Sequence, residues 1–286
     1  MRSGFVAVAG RPNVGKSTLV NALAGGKVAI VSDKPQTTRR RIAGVANGDD
    51  YQLVLVDLPG FQRPRDPLTE RMQRTVDQAF DDVDAVLFVL SARDRIGAGD
   101  RFIAERVFDL GVPVVIALNK VDRLKPGHIA TQMDTASKLG DFHALHPVSA
   151  KTGDGVPELR EELIGLLPEG PAYFPAGERT DLPVEDQVAE LVREKALALT
   201  REEVPHAISV EVEEVGEKLL RASIYIETES QKQIVIGRGG SVIKEIGVRA
   251  RPEVEALLGH PVFLELQVKV KPKWRRDERL LERLGI

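Results

Sequence analysis

Short, largely apolar runs recur in the N-terminal half of the chain: Phe5 to Ala9, Tyr51 to Val56, Ala85 to Leu90 and Val112 to Leu118. Each is too short for a buried helix and ends in a polar or glycine-bearing turn, so each predicts a buried strand. Helical patterns fall between them, over Thr18 to Ala24 and near 98–110, 127–139 and 155–166. Residues 39–47 and 51–57 flank Asn47-Gly48-Asp49-Asp50, which predicts an antiparallel hairpin. Otherwise strand and helix alternate, the pattern of a mostly parallel sheet with helices on both faces and ligands at the carboxyl ends of the strands.

Past Pro168 the pattern changes. Prolines and glycines crowd residues 168–177, which marks a linker that Tyr173 and Phe174 tack onto a domain surface. Val184, Val188, Leu191, Val192 and Leu199 then share one helical face. Ile208, Val210 and Val212 alternate with polar residues, as do Leu220, Ala222, Ile224 and Ile226. Helical patterns run on to about Leu258, and Val262, Leu264, Leu266, Val268 and Val270 close the order αββααβ.

The first strand runs into Gly10-Arg11-Pro12-Asn13-Val14-Gly15-Lys16-Ser17, a full match to G-x-x-x-x-G-K-S/T, and Thr18 continues the helix. The glycines let backbone N–H groups close around phosphates, and the helix N-terminus adds its dipole. Lys16 is suited to the β- and γ-phosphates and the Ser17 hydroxyl to Mg²⁺. The second hairpin strand ends in Asp57-Leu58-Pro59-Gly60. Asp57 there can hold Mg²⁺, directly or through water, and Gly60 can give its N–H to a γ-phosphate.

The strand 112–118 ends in Asn119-Lys120-Val121-Asp122. A carboxylate at Asp122 accepts the paired donors of guanine, which adenine lacks, and such a site discriminates by about 10⁴ or more. Asn119 either binds the base edge or braces the phosphate loop, and the Lys120 stem can lie along the ring. A later strand end, Ser149-Ala150-Lys151, offers the Ala150 N–H to guanine O6.

Phe61 follows Gly60. Ras-like GTPases place a water-orienting glutamine there. Phe61 cannot do this and Gln62 is one position late, so slow intrinsic hydrolysis is expected, resting on charge neutralisation by Lys16 and Mg²⁺.

In the second half, Gly237-Arg238-Gly239-Gly240 lies between apolar elements and matches the G-x-x-G loop of a KH fold, which clamps about four single-stranded nucleotides. Ile236 and Ile243 border the groove for bases, and Arg238 and Lys244 add charge. The formal net charge is −3, yet 231–251 and 269–279 each carry +4, leaving −11 elsewhere. A basic face on an acidic body tracks phosphates. Trp274, in the second cluster, either stacks on a base or caps the core.

Hydrophobic residues make up 42% and charged residues 29%, a globular composition, with no cysteine for disulfides, thiolate metal sites or nucleophiles. The chain passes directly into its first strand, leaving no room for a signal peptide, and no apolar run approaches the roughly 20 residues that span a bilayer.

The motifs PNVGKS, PQTTR, DLPG, NKVD and SAK, the KH loop and the ending from Trp274 to Gly285 together resemble the Era family over nearly the whole chain. The resemblance implies a P-loop GTPase domain over 1–168, a linker over 169–183 and a KH type II domain over 184–286 with a basic C-terminal segment. It implies that Thr38, or else Thr37, is the switch threonine closing on Mg²⁺, within mobile switches 32–43 and 58–75. Lys16, Thr38 and Gly60 would then serve catalysis. Asn13 resembles the phosphate-loop asparagine of K⁺-activated GTPases; alternatively it only stabilises the loop. The implied partners are the 3′ end of small-subunit ribosomal RNA and the small subunit itself, whose maturation the protein would assist. The implied setting is cytoplasmic, as a monomer, with peripheral contact to an anionic membrane surface. One rival is a constitutive RNA-binding protein in which GTP is structural, to be separated by RNA affinities in GTP and GDP. Another is a GTPase acting mainly at membranes.

Overall fold

Six strands carry the first half of the chain: β1 (Arg2–Ala9), β2 (Ile42–Asn47), β3 (Tyr51–Asp57), β4 (Ala85–Ser91), β5 (Val114–Asn119) and β6 (Ala144–Val148). They form one sheet in the order β2-β3-β1-β4-β5-β6, parallel except for the β2–β3 hairpin. The sequence alternates across the sheet. Val6 and Val8 of β1 join a core with α1 (Lys16–Ala24) and α5 (Val156–Leu166). Ala7 and Ala9 join another with α3 (Ala98–Phe108) and α4 (Pro126–Ala136), reached also by Val76 of α2 (Pro67–Gln78). Both faces are therefore covered, as strands this uniformly apolar over their central residues require. The register sets Val8 beside Asp57 and Ser91 beside Asn119, so the carboxyl ends of these strands share one edge.

The structure, a computed structural model, describes residues 1–286 apart from Pro35, Gln62 and Arg63. The chain divides into two units: Met1–Ala29 with Thr38–Arg63 and Met72–Asp181, and Ile30–Thr37 with Pro64–Arg71 and Leu182–Ile286. The Pro/Gly-rich stretch after α5 is a strap on the first unit. Gln52 Oε1 accepts from the N–H groups of Tyr173 (2.7 Å) and Phe174 (2.9 Å), and Tyr173 meets Phe5 edge-on at 4.7 Å. Further along, Gly44 bridges to Thr180, Val45 N–H donates to the Arg179 carbonyl (2.8 Å) and Ala43 N–H to Asp181 Oδ1 (2.8 Å). The strap thereby covers the otherwise open edge of β2.

α2 occupies part of the 58–75 stretch that the resemblance implies is a switch, a helix that the sequence reading does not name. Asp66 caps it, accepting from Thr69 N–H at 3.0 Å, with Pro67 in its first turn and Leu68, Met72 and Val76 buried at one-turn spacing.

In the second unit α6 (Val184–Leu199) and the short α7 (Val204–Ala207) precede β7 (Ser209–Val215) and β8 (Leu219–Ile226). Then come α8 (Glu229–Ile236), α9 (Ser241–Leu258), β9 (Phe263–Val270) and α10 (Glu278–Arg283). β8 is central, antiparallel to β7 and parallel to β9. Val188, Val192, Ile224, Ile226, Val235, Ile246 and Val254 pack the helices onto the sheet. Inside this unit the Arg193 guanidinium donates to Glu190 and to the Thr37 carbonyl, and Arg275 pairs with Asp66.

Candidate nucleotide and RNA sites

The phosphate loop takes backbone shapes that its glycines permit. Gly15 has φ +100° and a Cβ there would lie 2.3 Å from Asn119 Nδ2; at Gly10 it would lie 2.5 Å from the Val89 carbonyl. α1 has no side-chain cap, so its first N–H groups are left for an anion. Lys16 Nζ donates to the carbonyls of Gly10 and Arg11, both at 3.1 Å, which holds it over the loop. Burial pulls its pKa down to about 8, with the Asp57 charge acting against that pull.

Asp57 is fully buried. Its Oδ2 accepts from Ser17 (2.6 Å) and Thr38 (3.3 Å), whose hydroxyls lie 3.0 Å apart. Burial raises the Asp57 pKa; the Ser17 hydrogen bond, the Lys16 charge, the Thr38 hydroxyl and the Leu58 N–H oppose the rise. Its other oxygen, Oδ1, is buried without a hydrogen-bond partner. A hard cation bound by oxygens fits this trio and would satisfy that oxygen. Thr37, the other candidate, turns its hydroxyl to the Lys34 carbonyl at 2.7 Å.

At the base end, Asn119 Nδ2 donates to the Val14 carbonyl (2.9 Å), so this residue braces the phosphate loop. Its Oδ1 accepts from Lys120 N–H (2.8 Å) and Ala150 N–H (3.0 Å). This differs from the expectation for Ala150: its N–H is engaged within the protein and not turned to a base. Lys120, at φ +70°, sends Nζ to the Asn13 carbonyl. Burial lowers the Lys120 pKa, against Asp94, with Arg93 and Arg11 adding to the fall. Ser149 is buried and donates to Asp122 Oδ1 at 3.0 Å, orienting that carboxylate. Val121 packs against the core, and Lys151 is exposed.

Phe61 is buried, stacked on Phe80 at 5.9 Å with the Arg106 guanidinium 5.9 Å from its ring. It is core, with no polar atom for a water. Gln62 lies outside the described residues.

The second loop is open. Gly237, Gly239 and Gly240 have φ of +74°, +60° and +80°. A Cβ at Gly237 would strike Val242 Cγ2 at 2.5 Å, whereas nothing lies within 4 Å at Gly239 or Gly240. Arg238 and Lys244 are exposed and make no ion pair among the described residues, with Ile236 and Ile243 half-buried beside them. The C-terminal cluster differs: Lys269 pairs with Glu213, Lys271 with Asp277 and Arg275 with Asp66. Trp274 is fully buried and donates Nε1–H to the Ala207 carbonyl (2.8 Å), which settles its choice for the core and against base stacking.

One contact of the phosphate loop has no motif behind it. Arg11 Nε donates to Asp100 Oδ1 of α3 at 2.7 Å. The only hint in the sequence is an acidic residue in the first turn of a helix, which is too common to single out.

A doubly wound sheet ending in a braced phosphate loop, joined in one chain to an αββααβ unit with an open glycine loop, defines a P-loop GTPase carrying a KH domain. Residues 5–120 match the model of the 50S ribosome-binding GTPase family and residues 203–275 that of the KH domain. GTPase Era of Lactobacillus helveticus is 46% identical over 289 residues, covering 99% of this chain and 96% of that protein. An Aquifex aeolicus Era variant solved with GDP·AlF4⁻ superposes with a TM-score of 0.96 at 38% identity, covering 100% and 99% of the two chains. An Era solved with MgGDPNP and nucleotides 1506–1542 of 16S ribosomal RNA does so with 0.96 at 39%, over the same shares. The chain belongs to the Era family of GTPases and hydrolyses GTP.

Proposed function

We propose that this GTPase is a nucleotide-controlled RNA clamp of small ribosomal subunit maturation, working in the cytoplasm as a monomer. The Gly237–Gly240 loop grips the single-stranded 3′ end of 16S-type ribosomal RNA when GTP is bound, and hydrolysis releases it. The observation that carries the reading is the open glycine loop with its unpaired cations, in a fold that a relative presents with nucleotides 1506–1542 of that RNA. Each phosphate contact of such a loop makes binding salt-dependent.

In this reading Ser17, Thr38 and Asp57 hold Mg²⁺, which when bound neutralises charge building on the phosphates. Lys16 and the N–H groups of the loop and of Gly60 orient the γ-phosphate, and Asp122 selects guanine. Segments 30–37 and 64–71, adjoining Thr38 and following Gly60, pack within the second unit, which supports coupling of the two activities. Coupling requires that RNA prefer one nucleotide state. With Phe61 withdrawn, a missing element of the hydrolytic site is left to K⁺ at Asn13 or to RNA. Pairing of Lys269, Lys271 and Arg275 takes up half of the six cations of the C-terminal cluster, which weakens it as a membrane anchor, and no described helix is long and apolar enough to cross a membrane.

GTP hydrolysis in matched K⁺ and Na⁺ buffers, each with and without the RNA 3′ end, tests this, together with RNA affinity in GTP and GDP. Faster turnover with RNA and tighter RNA binding in GTP are expected. Equal affinity in both nucleotides with unchanged turnover would leave a constitutive RNA-binding protein in its place.

A further inference from the structure

The four variable positions of the phosphate loop, Arg11 to Val14, are each held from outside it. Pro12 lies against Gly60, where a Cβ would sit 2.9 Å from the proline nitrogen. The carbonyls of Asn13 and Val14 take Lys120 and Asn119. Those three latches come from recognisable nucleotide motifs. Arg11 is held by Asp100, on a helix that contributes none.

The latch is tightly built. Asp100 is only 1% exposed. Its Oδ1 takes Arg11 Nε at 2.7 Å and its Oδ2 takes the Gly97 N–H at 2.9 Å, so each carboxylate oxygen has a donor. The stem of Arg11 crosses Gly99, where a Cβ would lie 2.9 Å from Arg11 Cδ. A buried carboxylate left without its cation is costly, so Arg11 is not free to leave. The carbonyl of this same Arg11 is one of the two that hold Lys16. We infer that Asp100 is a positioning residue for GTP hydrolysis, fixing the phosphate loop and the Lys16 ammonium through Arg11.

The test uses the full chain. Asp100→Asn keeps an acceptor for the Gly97 N–H and removes the charge that holds Arg11. Single-turnover hydrolysis should fall about ten- to a hundredfold, the scale of small misplacements near reacting groups. Arg11→Ala should fall by a similar factor, and the double variant no further, because the two residues act as one unit. Melting with GDP bound reports folding. If Asp100→Asn does not fold, Arg11→Lys, which keeps the charge without the Nε geometry, carries the same expected loss. A lowered melting temperature with wild-type hydrolysis would reduce the pair to a structural contact and overturn the proposal. Losses that multiply in the double variant would overturn it too, since Asp100 would then act by another route.

Discussion

In the phosphate loop a Cβ at Gly15 would lie 2.3 Å from Asn119 Nδ2 and one at Gly10 would lie 2.5 Å from a carbonyl, whereas at Gly239 and Gly240 nothing lies within 4 Å. Both loops use glycine at positive φ, for different reasons. The first is shaped by protein atoms that surround it already, so its geometry exists before the nucleotide arrives. The second is crowded only at Gly237, by Ser241 and Val242 of its own following helix, and is open at Gly239 and Gly240, the room a sugar-phosphate chain would need. Preorganisation suits a site that must align reacting groups. An open cradle suits a site that only grips and lets go.

A pair of glycine substitutions can break that comparison. Gly15→Ala drives a methyl into Asn119 and strains a residue at φ +100°, so the brace on Val14 is lost as well. GTP affinity should fall by about a hundredfold or more, since loop misplacement of this kind disturbs every phosphate contact. Titration with a fluorescent GTP analogue reads it, and wild-type affinity would mean that the loop is not preorganised by its neighbours. Gly239→Asp should behave in the opposite way. Aspartate tolerates φ +60° and its Cβ meets nothing, so the fold and GTP affinity should hold. A carboxylate in a phosphate cradle should nevertheless weaken RNA binding, by about tenfold at moderate salt. Undiminished RNA affinity in this variant would remove the loop from the RNA site.

What the sequence showed of these two regions follows the range of the interactions involved. Gly10 to Ser17, Asp57 to Gly60 and Asn119 to Asp122 are legible because the chemistry needs those residue types close together along the chain, at strand ends. Thr38 and Thr37 could not be separated that way; their hydroxyls are told apart only once Ser17 and Asp57 are brought beside one of them. The Arg11–Asp100 latch spans 89 residues and joins two unremarkable positions, so no local pattern marks it. Ala150 was expected to face a base, but Asn119 takes its N–H, a pairing between two strand ends that spacing does not reveal. α2 was hidden differently: Leu68, Met72 and Val76 carry a helical period, masked by reading the whole stretch as a switch.

The smallest effect expected is a pH dependence that separates the closed loop from the open one. Without nucleotide, burial holds the Lys16 pKa near about 8, so the ammonium begins to lose its proton just above neutrality. A phosphate beside Lys16 favours the charged form, and binding therefore takes up a proton at and above that pH. The sign follows. Affinity for GDP should be level below about pH 8 and decline above it, by at most about tenfold per pH unit. Calorimetry at about pH 8.5 in two buffers of different ionisation enthalpy should show an uptake approaching about three-quarters of a proton per nucleotide. RNA binding at the exposed Arg238 and Lys244 does not involve Lys16, so it should stay flat over the same range. Flat GDP affinity with no proton uptake would show that Lys16 is solvated before the phosphates arrive, and the contrast between a preformed, desolvated loop and an open one would lose its electrostatic half.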